Sequence, residues 1–218
     1  MTVSITAALV YLLVMISLVT TLVCRLLKSH KRTTRNALLL CCFNTPERRE
    51  MTRDIVSYYH TQLPLHRIYM VDSANHGCDL LPEHQQVKFD QNSECVVTTC
   101  STDMELCSLK KAVNSLDFGD AEYVIKLTCK YKIPDLKKLV FKRDLVLQAL
   151  HRNHWQNTEL YAVNVSKIHR FIDDIDTQHG LMEERMYTVS KKYEVKRMRK
   201  LRNLASYPRG NKEILKEL

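Results

Sequence analysis

The chain has 218 residues, of which 26% are charged and 45% are hydrophobic, and its formal net charge is +9 at pH 7. This composition, with only four glycines and five prolines, excludes a disordered or low-complexity chain. The length accommodates one domain with a sizeable core plus a short additional segment. Basic residues are concentrated in segments 25–35 and 191–202, but no recognisable nucleic-acid-binding module accompanies them, so nucleic acid is not an expected partner.

Eight cysteines are scattered along the chain without a Cys-x-x-Cys pair, and a zinc site is therefore not expected. An even number of cysteines permits one or two disulfides in a compartment that allows oxidation. Cys41 and Cys42 lie in an apolar run and are predicted to be small buried side chains.

Residues 1–24 contain no charged side chain, and this run is long enough to cross about 30 Å of hydrocarbon as a helix. We predict a single transmembrane anchor rather than a cleaved signal peptide, because neither a short basic region before it nor a small-residue cleavage site after it is present. Segment 25–35 forms a basic stem with five Lys/Arg and no acidic residue. By the positive-inside rule this stem would place the remaining domain, residues 36–218, in the cytoplasm.

Strand and helix patterns alternate in the remaining chain, which predicts an α/β domain. The continuous apolar run 36–43 is typical of a central strand covered on both faces. Asn44 and Thr45 follow this strand, and a helix with Arg48 in its first turn is predicted to continue to residue 59.

A second predicted strand, 66–71, ends in Asp72 and Ser73. At the carboxyl end of a strand, a carboxylate with small polar neighbours suits contacts to ribose hydroxyls or to a base N–H, although Asp72 is also a common turn-forming residue. Further elements are predicted in this order: strand 85–89, helix 104–116, strand 123–127, helix 136–150, strand 157–163, and a last helix from residue 180 to residue 204.

Polar side chains crowd the carboxyl end of strand 123–127. Lys126, Thr128, Lys130 and Tyr131 lie there. Open α/β sheets bind ligands outside the carboxyl ends of their strands, so lysines beside a hydroxyl and a phenol indicate an anion site. The alternative is a strand that ends in a solvated basic turn.

The run Lys126-Leu-Thr-Cys-Lys-Tyr131 resembles the Lys-(Ile/Leu)-Thr-Gly-(Arg/Lys)-Tyr signature of small, membrane-anchored nucleotide-sugar glycosyltransferases with the GT-A fold. It departs from that signature at Cys129, where the group usually has glycine. Weaker similarities extend over most of residues 36–211. The resemblance implies a GT-A-like, Rossmann-like mixed sheet flanked by helices behind one transmembrane helix. It also implies a domain that faces the Golgi or ER lumen, opposite to the positive-inside argument, and we favour the lumen.

The same resemblance implies that the nucleotide-sugar donor binds at the carboxyl ends of the strands and under a C-terminal arginine. The predicted donor-binding residues are Asn44, Thr45, Arg48, Asp72, Ser73, Lys126, Thr128, Lys130, Tyr131 and Arg209. For Asn44, Thr45 and Arg48 the alternative role is to begin a helix.

Asp174-x-Asp176 matches the metal-binding Asp-x-Asp of many GT-A enzymes, in which two carboxylates hold a divalent ion on the diphosphate. The signature strand, where that motif normally lies, carries Lys-x-Thr instead. We therefore predict that no metal cofactor is required, with Asp174 and Asp176 as the ligands if Mn²⁺ or Mg²⁺ does bind. Without a metal, Lys126, Lys130 and Arg209 would stabilise the charge of the leaving diphosphate.

Glu183, near the start of the last predicted helix, resembles an acidic position of the group that faces the acceptor. It is the predicted catalytic base, although a glutamate there also simply complements the helix dipole. The predicted function is transfer of a sugar from a nucleotide-sugar to a hydroxyl of a glycan, glycoprotein or glycolipid. The alternatives are an inactive membrane-anchored relative that acts as a binding or scaffold protein, and a cytoplasm-facing protein that binds anionic lipid through its basic segments.

Overall fold

The computed structural model describes residues 12–24, 35–95, 101–134, 136, 141, 143–148, 156–198 and 205–206. The chain divides into two compact units, Met1–Thr34 and Arg35–Leu218. In the first unit residues 12–24 are helical (α1). Within the described part of the chain, no helix is both long and apolar enough to cross a membrane. Residues 1–11 of the predicted anchor and residues 25–34 of the predicted stem lie outside the described residues.

The second unit is an α/β domain, as predicted, built on a seven-stranded mixed sheet. Its strands are β1 (Asn36–Cys42), β2 (Ile68–Asp72), β3 (Gln86–Lys88), β4 (Tyr123–Thr128), β6 (Leu145–Leu147), β7 (Leu160–Asn164) and β8 (Val195–Arg197), in the order β3-β2-β1-β4-β7-β6-β8. Among these described strands, β7 runs antiparallel to its neighbours β4 and β6, and the other pairings are parallel. A separate two-stranded antiparallel sheet joins β5 (Tyr131–Lys132) to β9 (Ala205–Ser206).

Helices cover both faces of the large sheet. They are α2 (Arg49–His60), α3 (Gln91–Glu94), α4 (Ser101–Ser115), α5 (Ile168–Asp176) and α6 (Met182–Ser190), together with short 3₁₀ turns at Pro46–Arg48, Leu65–Arg67, Glu83–Gln85 and Val165–Lys167. Alternate residues of a strand point to opposite faces, and β1 shows this directly. Leu38 and Leu40 pack in one core with Tyr59 of α2, whereas Leu39 packs in the other with Leu109 of α4.

Parallel pairing brings the carboxyl ends of three strands to one edge of the sheet. Cys41 of β1 is in register with Thr128 of β4, and Cys42 is in register with Asp72 of β2. A disulfide between Cys95 and Cys107 ties the segment after α3 to α4, close to the same edge. The polar residues that follow β1, β2 and β4 are therefore brought close together, as the parallel arrangement requires.

Two predicted helices are corrected by the fold. Within the predicted helix 136–150, Leu145–Leu147 is strand β6, which lies between β7 and β8 and is buried on both faces. Its short Leu-Val-Leu run gives no periodicity that separates a buried strand from a buried helix, and pairing on both sides decides the outcome. The last predicted helix ends at Ser190 rather than at residue 204, and the chain then turns into β8.

Candidate functional site

A cleft of about 300 Å³ lies at the carboxyl edge of the sheet, where β1, β2 and β4 end beside the first turns of α4. Open α/β sheets bind ligands in this position. The cleft is lined by Cys41, Cys42, Phe43, Met51, Thr52, Ser73, Gln91, Ser101, Met104, Glu105, Ser108, Lys126, Thr128 and Cys129. Three residues of the predicted donor site, Ser73, Lys126 and Thr128, are among them.

Lys126 forms an ion pair with Glu105 of α4 at this cleft. Its Nζ donates to Glu105 Oε1 at 2.5 Å and to the carbonyl oxygen of Thr158 at 2.8 Å, and it lies 3.5 Å from Thr128 Oγ1. The Lys126 side chain is 4% exposed and that of Glu105 is 28% exposed. An ammonium group has three protons, so these partners account for all of its donors. The charge of Lys126 is thus already matched within the protein.

The protonation states of the cleft residues follow from this packing. Burial disfavours a charged lysine, but the nearby Glu105 carboxylate outweighs it, and the pKa of Lys126 is raised above its ordinary value. Burial also raises the pKa of the Cys41 thiol to about 12. A hydrogen bond with Cys129, together with burial, raises the pKa of Cys42 well above its ordinary value. At neutral pH Lys126 is therefore a cation and both thiols are protonated, which makes them poor nucleophiles.

Asn44 and Asp72 are both buried and joined by a hydrogen bond, and neither is among the residues that line the cleft. The Asp72 carboxylate accepts four backbone N–H groups, those of Asn44, Ala74, His76 and Gly77, at 2.7–3.0 Å. The Asn44 side chain donates to the carbonyl of Gly77 and accepts from the hydroxyl of Thr52. These contacts fix the two loops that follow β1 and β2. The hydrogen-bonding groups of Asp72 and Asn44 are thus used within the protein, where they stabilise the loops at this edge of the sheet.

Lys130 and Tyr131 converge on Glu159 rather than on the cleft. Lys130 Nζ lies 2.9 Å from Glu159 Oε1, and the Tyr131 hydroxyl donates to the same oxygen. Partial burial would raise the pKa of Glu159, but the hydrogen bonds from Tyr131 and Lys130 lower it below its ordinary value. The predicted phosphate-binding lysine at this position is therefore paired with a carboxylate, as Lys126 is.

Other predicted residues lie away from the cleft lining. Thr45 and the exposed Arg48 begin the turn before α2, and Thr45 makes no capping hydrogen bond through its side chain. Glu183 lies in the first turn of α6, which is joined to α4 by an Arg185–Asp103 ion pair at 3.0 Å. Arg209 lies outside the described residues.

The two carboxylates of the Asp-x-Asp motif lie on α5 and contact different partners. Asp174 contacts Lys192 and the hydroxyl of Tyr193, and Asp176 contacts Lys110 of α4 at 2.5 Å. The hydrogen bond from Lys192, reinforced by that from Tyr193, lowers the pKa of Asp174. Within the described ranges, no group of three or more His, Cys, Asp or Glu side chains is placed to hold a metal ion.

Cys129 occupies the position at which the glycosyltransferase signature that this run resembles usually has glycine. Of the non-glycine residues described, Asn75 has a positive φ and Cys129 does not, so the backbone here does not require glycine. The Cys129 side chain is buried in the core next to α2. The departure from the signature is thus accommodated without backbone strain.

Glu105 and Gln91 are cleft residues that the sequence argument did not single out as site residues. Glu105 lies in the predicted helix 104–116, and helical spacing alone does not show which polar residue of that helix faces the sheet edge. Its position opposite a buried lysine is set by tertiary packing.

No protein-family model and no curated protein sequence matches the chain.

Proposed function

We propose that the chain is a membrane-anchored, GT-A-like glycosyltransferase that moves a sugar from a nucleotide-sugar to a hydroxyl of a glycan, glycoprotein or glycolipid. The observation that carries the proposal is the cleft at the carboxyl edge of β1, β2 and β4, with Lys126 and Thr128 of the resembling signature in its lining. The mixed seven-stranded sheet agrees with the fold that the signature implies.

Charge stabilisation is the central requirement of this reaction, because the leaving nucleoside diphosphate gains negative charge as the glycosidic bond breaks. Lys126 and Lys130 each form an ion pair with a glutamate. Either lysine would therefore contact the phosphates while it stays paired with its glutamate, or only after that ion pair breaks. The other basic residues of the predicted donor-binding site are Arg48 and Arg209. Strand β9, which ends at Ser206, pairs with β5, and Arg209 follows it by three positions. A divalent ion is the other possible source of positive charge.

The disulfide between Cys95 and Cys107 supports a lumenal domain. Cytosolic thiols are kept reduced, whereas disulfides persist in the ER, the Golgi and outside the cell. The disulfide therefore favours the topology that the resemblance implies over the one that the positive-inside rule predicts from the stem. We therefore propose a single-pass protein with residues 36–218 in the lumen of the secretory pathway.

The proposal is tested by incubating the purified full-length chain with uridine and guanosine diphosphate-sugars and measuring release of the nucleoside diphosphate, with and without glycan acceptors. A glycosyltransferase releases one of these diphosphates, and faster with an acceptor. Thr128→Val should weaken binding of the active donor by about 3- to 10-fold, the loss of one neutral hydrogen bond. Thr188→Val is the matched control, because Thr188 is exposed on α6 and lies outside the cleft lining.

Binding without turnover is a second candidate function, favoured by one observation. Both lysines of the predicted phosphate site are already neutralised by carboxylates. An inactive relative would bind a nucleotide-sugar, as shown by calorimetric titration, yet release no diphosphate over hours. Absence of both binding and release across the whole panel would contradict both functions.

A further inference from the structure

The charge of the cleft limits which part of a donor it can hold. Among the described residues that line it, Glu105 and Lys126 are the two charged side chains, and they neutralise each other at 2.5 Å. A diphosphate carries at least two negative charges and is normally matched by cations or several N–H donors. This lining offers it no spare positive charge. It is better matched to a neutral, polyhydroxylated group.

Glu105 still has hydrogen-bonding capacity towards the cleft. An ionised carboxylate has about four lone-pair positions on two oxygens. Lys126 occupies Oε1, and Oε2 accepts no hydrogen bond from any described residue. More than a quarter of the side chain is open to solvent. Lys126 thus holds the carboxylate in place and leaves one oxygen available to a ligand hydroxyl.

Gln91 provides a second open polar group. Gln91 lines the cleft, its backbone N–H donates to the carbonyl oxygen of Ser73, and its side-chain amide makes no hydrogen bond among the described residues. Phe43, Met51 and Met104 supply apolar lining. A pyranose ring presents hydroxyls at its rim and C–H groups on its faces, which suits such a mixed surface. The cleft volume of about 300 Å³ is at the lower end of ligand pockets, about 300–1,000 Å³, and fits one sugar better than a whole nucleotide-sugar.

We propose that this cleft is the sugar pocket of the enzyme, in which Glu105 accepts a sugar hydroxyl and Gln91 supports it, while the nucleoside diphosphate lies outside. The inference rests on the proposed glycosyltransferase function and assigns the sugar-recognising residues. Lys126 is then a positioning residue for Glu105 rather than a phosphate ligand.

The test compares a nucleotide-sugar with its own nucleoside diphosphate. Both are titrated calorimetrically into the full-length wild-type chain, Glu105→Gln and Gln91→Ala, using the uridine or guanosine diphosphate-sugar that the wild type binds. Glu105→Gln should weaken nucleotide-sugar binding by about 10- to 100-fold and Gln91→Ala by about 3- to 10-fold. Binding of the nucleoside diphosphate should be unchanged in both variants. Glu50→Gln, an exposed glutamate in the first turn of α2, is the matched control.

The possible failures are distinguishable. If the wild type binds no nucleotide-sugar, the proposed function fails and this inference with it. If nucleotide-sugar binds but the variants weaken the sugar-free diphosphate equally, the cleft holds the diphosphate and the inference is wrong. Unchanged affinity for both ligands in both variants also overturns it. Gln91→Ala keeps the test decisive if Glu105→Gln does not fold, because its side chain makes no hydrogen bond with the described part of the protein.

Discussion

Lys126 has a buried ammonium group that is paired with Glu105. The loss of stability when Lys126 is replaced therefore depends on what happens to Glu105. Lys126→Met leaves Glu105 without its cation and removes the bond to the Thr158 carbonyl. Breaking a fully buried ion pair costs about 3–5 kcal/mol. Because the Glu105 side chain is 28% exposed, we expect a smaller loss of about 2–3 kcal/mol in the free energy of unfolding, measured by urea denaturation.

Two further variants distinguish the stability that comes from the Lys126–Glu105 ion pair from the effect of losing any lysine. Lys110→Met removes the more exposed ion pair with Asp176 and should cost less than about 1 kcal/mol. The double variant Lys126→Met/Glu105→Met leaves neither charge unpaired and should recover part of the loss. Equal costs for Lys126→Met and Lys110→Met would contradict a buried, structurally important pair.

Glu159 predicts a pH dependence with a defined sign. Its pKa is lowered in the folded protein, so its contacts with Tyr131 and Lys130 stabilise the fold above the unfolded pKa of about 4.3. That contribution is lost as the pH falls through the lowered folded value. Glu159→Gln should therefore be less stable than the wild type at pH 7, and the difference should narrow towards pH 3. Urea unfolding across that range measures it; a difference independent of pH would refute the assignment.

The side on which Lys126 lies was predictable from the sequence, but its environment was not. Alternation places it opposite Ile125 and Leu127, and those two residues do pack in the core beside α2. The carboxylate it meets comes from Glu105, 21 positions earlier and on another element. The same holds for Asp72. Its position at the end of a strand was predictable from the sequence, whereas the four backbone N–H groups that donate to its carboxylate were not. Whether these residues bind a donor stays a prediction.

At the scale of elements, runs that are apolar or rich in β-branched and aromatic residues located β1, β2 and β4 within one or two residues of their predicted limits. Each is long and flanked by clear turn or capping residues, so strand character needed no tertiary information. β6 is only Leu145–Leu147, and its strand state depends on pairing with β7 and β8. Such short elements are decided by neighbours that no local pattern reveals.

The disulfide is the element-scale feature most open to direct measurement. It closes a loop over a sequence separation of 12, which in the chain-entropy account stabilises a fold by about 2–3 kcal/mol. Reductant should therefore lower the melting temperature of the wild type. The variant Cys95→Ser/Cys107→Ser should start at that lower temperature and show no further change with reductant. If the melting temperature of the wild type were the same with and without reductant, Cys95 and Cys107 would not be joined by a disulfide.

At the scale of the whole molecule, the basic segment 25–35 and the disulfide predict opposite topologies for different physical reasons. The positive-inside rule concerns the basic stem during insertion, and five Lys/Arg after an uncharged run favour a cytoplasmic domain. A disulfide reports the compartment in which the folded domain resides, and it favours the lumen. The disulfide constrains the mature protein, so we give it more weight and expect a lumenal domain.

Topology is measured by labelling an exposed thiol with a membrane-impermeant maleimide on sealed microsomes. The native Cys78 is buried and Cys95 is in the disulfide, so neither is a suitable reporter. Ser57 is exposed on α2, and Ser57→Cys places a thiol of nearly the same size on the domain surface. Subtracting the labelling of the wild-type chain isolates the new thiol. A lumenal domain protects Cys at this position until detergent opens the membrane. Full labelling before detergent would place the domain in the cytoplasm. That result would contradict the lumenal topology and would favour lipid binding through the basic segments.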